Sequence, residues 1–145
     1  MGTGPLLRAV RYLWASPNTC LGVCVGAMSL CCGGGVTTRD GVVGFTGRLI
    51  ELIFDRLPIR PIAMTLGHVV LARNRDCFLI KLPHELVHVR QYERWGPLFI
   101  PAYLCCSAGI RLAGGDPYRD NPFEREAFER VPEFRRDDRK EQERA

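Results

Sequence analysis

At 145 residues, 46% of them hydrophobic and 25% charged, the chain is long enough for one domain with a modest core. Its formal charge of +4 is too small an excess to imply nucleic-acid binding. It contains no phosphate loop, dinucleotide fingerprint or internal repeat, so neither a nucleotide nor a nucleic acid is an expected partner.

The first element is apolar. Residues 12–38 carry no charge, and within them Leu13–Cys32 is mostly apolar and about as long as a bilayer span requires. Ser16, Pro17, Asn18, Thr19 and the triplet Gly33–Gly35 weaken it. The segment, residues 1–36, is expected to be helical and to associate with a membrane, as a span or a shallow insertion, with a buried helical hairpin as the alternative. No small-x-small site follows the apolar core, so it does not read as a cleaved signal. Seven cysteines, an odd number without framework spacing, read as reduced, small, buried hydrophobes.

Residues 37–131 form the expected folded domain. Gly41–Gly47 reads as a short strand with glycine punctuation, and Arg48–Arg56 has helical spacing at Leu49, Ile50, Leu52, Ile53 and Phe54. Ala63–Ala72 and Cys77–Leu82 are apolar and β-branched, joined by a turn-like Arg73-Asn74-Arg75-Asp76, and are expected to pair as a hairpin.

The next segment carries the chemistry. His84-Glu85-Leu86-Val87-His88 is HExxH; on a helix its histidines lie at i and i+4 and project from one face towards a single metal ion. Glu85 lies beside that face, where a carboxylate can take a proton from a metal-activated water. Pro83 suits the first helical position, and Gly96-Pro97 after Trp95 is a stop, so the spacing predicts a helix over Pro83–Trp95. The bland alternative is an amphipathic helix whose histidines merely pack. Trp95–Ile110 is uncharged, contains Pro97 and Pro101, and is expected to be a core helix or an interfacial patch.

A catalytic zinc site needs a third protein ligand. No third histidine follows the motif, since the remaining one, His68, lies upstream. Pro122 reads as a second helix start with Asn121 as its cap. Advancing about 100° per residue places Glu124 inside the apolar arc of Phe123, Ala127, Phe128 and Val131, while Glu126 and Glu129 fall outside. A carboxylate aimed into an apolar face is costly unless paired or metal-bound, which makes Glu124 the best third ligand. Two alternatives remain: a capping box between Asn121 and Glu124, and Glu126 as the ligand. The tail, residues 132–145, carries mixed charge and reads as a solvated extension or disorder.

HExxH followed by Glu124-Arg125-Glu126-Ala127 resembles the gluzincin zinc metallopeptidases, in particular the group containing the heat-shock membrane proteases and the prenyl-protein proteases. That pattern continues E-x-x-A-D; here Phe128 stands where the aspartate that orients a ligand histidine is expected. The stretch of roughly residues 64–129 is also similar to small uncharacterised bacterial HExxH proteins. The resemblance implies His84, His88 and Glu124 as ligands of Zn2+ and Glu85 as general base. It also implies that strand Ala63–Ala72 holds extended peptide by strand addition, with an ordinary core strand as the alternative. His68 and Tyr118 are the candidates for a hydrogen-bond donor to the transition state.

The expected protein is thus α+β and zincin-like. Short antiparallel strands precede an HExxH helix, and a second helix carries the third ligand. The expected activity is zinc-dependent hydrolysis of a peptide or protein substrate; the alternative is a non-catalytic, zinc-stapled interaction protein at a membrane. The apolar segment and reduced cysteines together place it at a membrane, with the site on the cytoplasmic side.

Overall fold

The computed structural model describes residues 4–133. Most of the expected charged tail lies outside them. Helix α1 (Pro5–Cys31) leads into strands β1 (Gly35–Arg39) and β2 (Val42–Thr46), helix α2 (Arg48–Arg56), and strands β3 (Ala63–Leu66) and β4 (Val69–Ala72). Helix α3 (Arg75–Trp95), a 3-10 turn (Gly96–Leu98), helix α4 (Phe99–Leu112) and helix α5 (Pro122–Arg130) complete the order. The chain is therefore α+β.

The four strands form one mixed sheet in the order β1-β2-β4-β3. β1–β2 and β3–β4 are antiparallel pairs, while β2 and β4 run parallel, Val43 opposite Val69 through Thr46 opposite Ala72. This differs from the purely antiparallel expectation: α2 and β3 intervene between β2 and β4, and a crossover of that kind returns the chain in the same direction. Arg39 pairs with Val42, so Asp40-Gly41 is a two-residue hairpin loop. Both residues have positive φ, 51° and 80°, the conformation that such turns demand and that Asp-Gly supplies.

Both faces of the sheet are covered. Val42, Val70 and Ala72 point to one side and pack with Phe78, Leu82 and Val89 of α3. Phe45, Val69 and Leu71 point to the other and pack with Ile50 and Phe54 of α2 and with Val25 of α1. β4, central and covered on both sides, is buried at every position, which explains its unbroken run Val-Val-Leu-Ala. A third cluster of Ala15, Tyr92, Phe99 and Phe123 joins α1, α3, α4 and α5.

Several further expectations change here. First, Cys77–Leu82 is not a strand but part of the opening of α3, which begins at Arg75, more than two turns before Pro83. Asn74 caps it, its side-chain oxygen accepting from the Cys77 N–H at 2.8 Å, and Asp76 complements the dipole in the first turn. A short apolar run fits either period, and the cap decides it. Pro83 is thus inside the helix, where it removes one intrahelical hydrogen bond. The hairpin lies instead within Ala63–Ala72, turning at Gly67-His68.

Second, α1 is one continuous helix through Pro17, not a hairpin. Third, among the described residues no helix is long and apolar enough to cross a membrane. That finding overturns the expected membrane-associated location and the cytoplasmic placement built on it. The physical reason lies in the inner face of α1, where Ala15, Asn18, Gly22, Gly26 and Ser29 form a small, partly polar, buried stripe. Gly22 meets Val69 and Gly26 meets the Phe45 ring so closely that no Cβ fits at either position. This stripe lowers the mean apolarity of the helix and docks it on the sheet. Large side chains, among them Leu13, Leu21 and Met28, are exposed. The cysteines are free, and Cys20, Cys24, Cys31, Cys32 and Cys105 are exposed rather than buried filler.

Candidate metal centre

Two helices build the site. α3 presents His84 and His88 one turn apart, and α5, starting at Pro122, presents Glu124 in its first turn. Asn121 sets where α5 begins: its side-chain oxygen accepts from the Phe123 N–H at 3.0 Å, and its amide donates to the Tyr103 carbonyl and the Ser107 hydroxyl of α4. The Asn121 N–H goes to the Tyr118 carbonyl, so Glu124 is not consumed in a capping box. Its carboxylate turns inward.

There the polar atoms converge. His84 Nε2 and His88 Nε2 are 3.2 Å apart, Glu124 Oε2 is 3.2 Å from His84 Nε2, and Glu124 Oε1 is 3.5 Å from His88 Nε2. Ligands held about 2.0–2.1 Å from a tetrahedral zinc ion are separated from each other by roughly 3.3 Å, so the spacing fits that ion. All three residues are buried, His84 and Glu124 at 4% exposure, and Glu124 Oε2 accepts no hydrogen bond. Two imidazoles and a carboxylate are the donor set of a catalytic zinc site, and these residues could hold the ion. Glu126 is not part of the cluster; it accepts from Gln91 Nε2 at 2.9 Å and pairs with Arg130 at 2.8 Å.

The electrostatics without metal show what the cluster lacks. Burial alone would lower the His88 pKa, but the facing Glu124 carboxylate outweighs it and pushes the imidazole up to about 9. Burial would raise Glu124, yet the charge of His88 and the closeness of both imidazoles hold it well below the usual carboxylate range. The buried carboxylate takes a proton on His88 as its countercharge, the role a cation would fill.

Glu85, buried at 4% exposure, is held by the β3 edge strand. The Thr65 hydroxyl lies 2.6 Å from Glu85 Oε2 and 3.3 Å from the Glu85 carbonyl; with one proton to give, it donates to the nearer carboxylate. The negative charge of Glu85 is felt at His88, Tyr92 and Tyr103.

Three contributors were not singled out in the sequence. Tyr103 of α4 donates its hydroxyl to Glu124 Oε1 at 2.9 Å, and burial together with that carboxylate pushes its phenol well above its ordinary value. Gln91 of α3 lies 2.8 Å from His88 Nδ1. Its place three residues beyond His88, on the same helix face, is the signal that could have found it. Thr65 carried no such signal, because only the strand-to-helix contact brings it to Glu85.

Phe128 packs its ring 5.1 Å from that of His84, and Tyr118 meets Phe128 edge-on at 6.0 Å, one ring further out. His68 is engaged elsewhere: stacked on Tyr12 at 3.9 Å, its Nε2 3.3 Å from Glu93 and its backbone N–H bonded to Thr19. These contacts tie α1 to α3.

No protein-family model, curated protein or solved structure matches this chain. Its chemistry must be read from the site itself.

Proposed function

We propose that the chain is a zincin-like, zinc-dependent metallopeptidase that hydrolyses a peptide or protein substrate. The observation that carries this reading is the convergence of His84 Nε2, His88 Nε2 and the Glu124 carboxylate at tetrahedral spacing, with Glu85 next along the same helix. A zinc ion held there would act as a Lewis acid, polarising the peptide carbonyl and acidifying water.

The chain's own residues supply the rest. Glu85 takes the proton of the attacking water and hands it to the leaving amine. Thr65 keeps one oxygen of that carboxylate occupied, so the other is the one that moves the proton. Tyr103 restrains Glu124 by its hydrogen bond. β3 is an edge strand, and its outer side, which pairs with no strand among the described residues, would offer main-chain hydrogen bonds to an extended peptide.

One observation favours a second reading, in which the metal only staples α3 to α5: His84, His88 and Glu124 are each at most 7% exposed. Glu85 separates the two, since a structural staple has no use for a general base. Zinc per chain is measured first, wild type beside Glu124→Ala; about one zinc, lost in the variant, supports the three-ligand site. Hydrolysis of a peptide library follows, wild type beside Glu85→Gln. Loss of cleavage with zinc retained supports the peptidase; zinc without cleavage by either protein leaves the staple.

A further inference from the structure

Phe128 has no hydrogen-bonding atom to offer a histidine, yet a ligand imidazole works only if its second nitrogen is held and its tautomer set. The sequence resemblance leaves that position empty, and the structure fills it for His88 from a different place.

Gln91 is 1% exposed, and its amide orientation is fixed by its partners. Nε2 reaches the Phe123 carbonyl at 3.0 Å and Glu126 Oε2 at 2.9 Å. Glu126 is itself paired with Arg130 and is therefore a carboxylate. A carbonyl and a carboxylate only accept, so the NH2 group of the amide must face them and its oxygen must face His88. Gln91 Oε1 is 2.8 Å from His88 Nδ1. An amide oxygen cannot donate, so the proton of that bond belongs to Nδ1. The neutral His88 ring then has its lone pair on Nε2, the atom facing His84 and Glu124.

We propose that Gln91 is the positioning residue of the metal centre: it locks His88 in the Nδ1–H tautomer and, through Phe123 and Glu126, holds helix α5 at the register that brings Glu124 to the same point. One side chain thus couples the aim of one ligand to the placement of another. The inference rests on the zinc-site reading above.

The test uses the full chain with histidine labelled in 15N. In wild type loaded with zinc, His88 shows a slowly exchanging Nδ1–H. Gln91→Leu loses that signal and weakens zinc binding by about 10–100-fold while remaining folded by circular dichroism. The double variant Gln91→Glu with Glu126→Gln exchanges donor and acceptor across the same hydrogen bond. It restores an acceptor opposite Nδ1 and recovers the signal, while the Phe123 carbonyl then faces a carboxylate oxygen in place of an N–H, so the affinity recovers only in part. A folded Gln91→Leu with wild-type affinity and an unchanged Nδ1–H overturns the proposal. So does a double variant that, like Gln91→Leu, lacks the Nδ1–H signal, which would make Gln91 a packing residue only. If wild type holds no zinc, the metal reading fails separately. The tautomer of His88 in the metal-free chain, read at a pH alkaline enough to leave the ring neutral, then still decides the role of Gln91, with Nδ1–H expected and Nε2–H overturning.

Discussion

The Thr65 hydroxyl donates to Glu85 Oε2 across 2.6 Å, tying the edge strand of the sheet to the residue between the two histidines. Both groups are buried, so the bond replaces solvation that Glu85 cannot obtain from water. Thr65→Val, which keeps the shape and removes the hydroxyl, is expected to lower peptide hydrolysis by about tenfold or more, the rough worth of a hydrogen bond to a charged group. Zinc content is unchanged, and Thr65→Ser retains most of the rate. Steady-state kinetics beside a zinc assay checks this.

Tyr103 reaches Glu124 from α4, a helix in which only Phe99 is fully buried. Tyr103→Phe leaves the ring packing and releases Glu124 Oε1 from its donor. Zinc affinity is expected to fall about tenfold, measured by competition with a chromogenic chelator, and the metal-free chain is expected to lose about 1–3 kcal/mol, because the buried carboxylate loses its donor.

The ion pair between His88 and Glu124 gives the metal-free chain a defined pH response. The folded pKa of His88 is raised from 6.5 to about 9, so its contribution is complete below 6.5 and is lost as pH rises through about 9. The folded pKa of Glu124 is lowered from 4.5, so its contribution is present above 4.5 and is lost as pH falls. Thermal melts of metal-free protein should peak between these limits and decline steadily towards pH 9. Zinc must displace the proton on His88, so its apparent affinity rises about tenfold per pH unit in the same interval. A flat melting profile from pH 5 to 9 would contradict the buried ion pair.

The inner face of α1 is set by space rather than by apolarity. A side chain at Gly26 would meet the Phe45 ring, so Gly26→Val is expected to destabilise the chain by about 1–3 kcal/mol. Cys20→Val on the exposed side of the same helix should stay within about 0.5 kcal/mol of wild type. Parallel denaturant titrations compare the two.

Much of the site was legible because its parts are local. Helical spacing puts His84 and His88 on one face whatever surrounds them, and the capped start at Asn121-Pro122 with Glu124 inside an apolar arc describes α5 as found. The span of α2 was legible for the same reason: five apolar residues at helical intervals allow one reading. Reading failed where a short segment suits two periods, as at Cys77–Leu82, or where a long apolar run can be covered by lipid or by protein, as in α1. There the glycines that seat α1 on Val69 and Phe45 give the answer, and they carry meaning only once their partners are known.

The amino-acid sequence by itself determined the ligand types, their helical spacing and the general-base candidate, since these depend on periodicity within one or two helices. Only the tertiary structure decided that Glu124 meets the histidines, that Thr65 holds Glu85, that Tyr103 restrains Glu124, and that Gln91 reaches His88 and α5 together. Each of those, apart from the step from Gln91 to His88, joins residues 20 or more positions apart, which chain folding brings together and helical spacing alone does not encode.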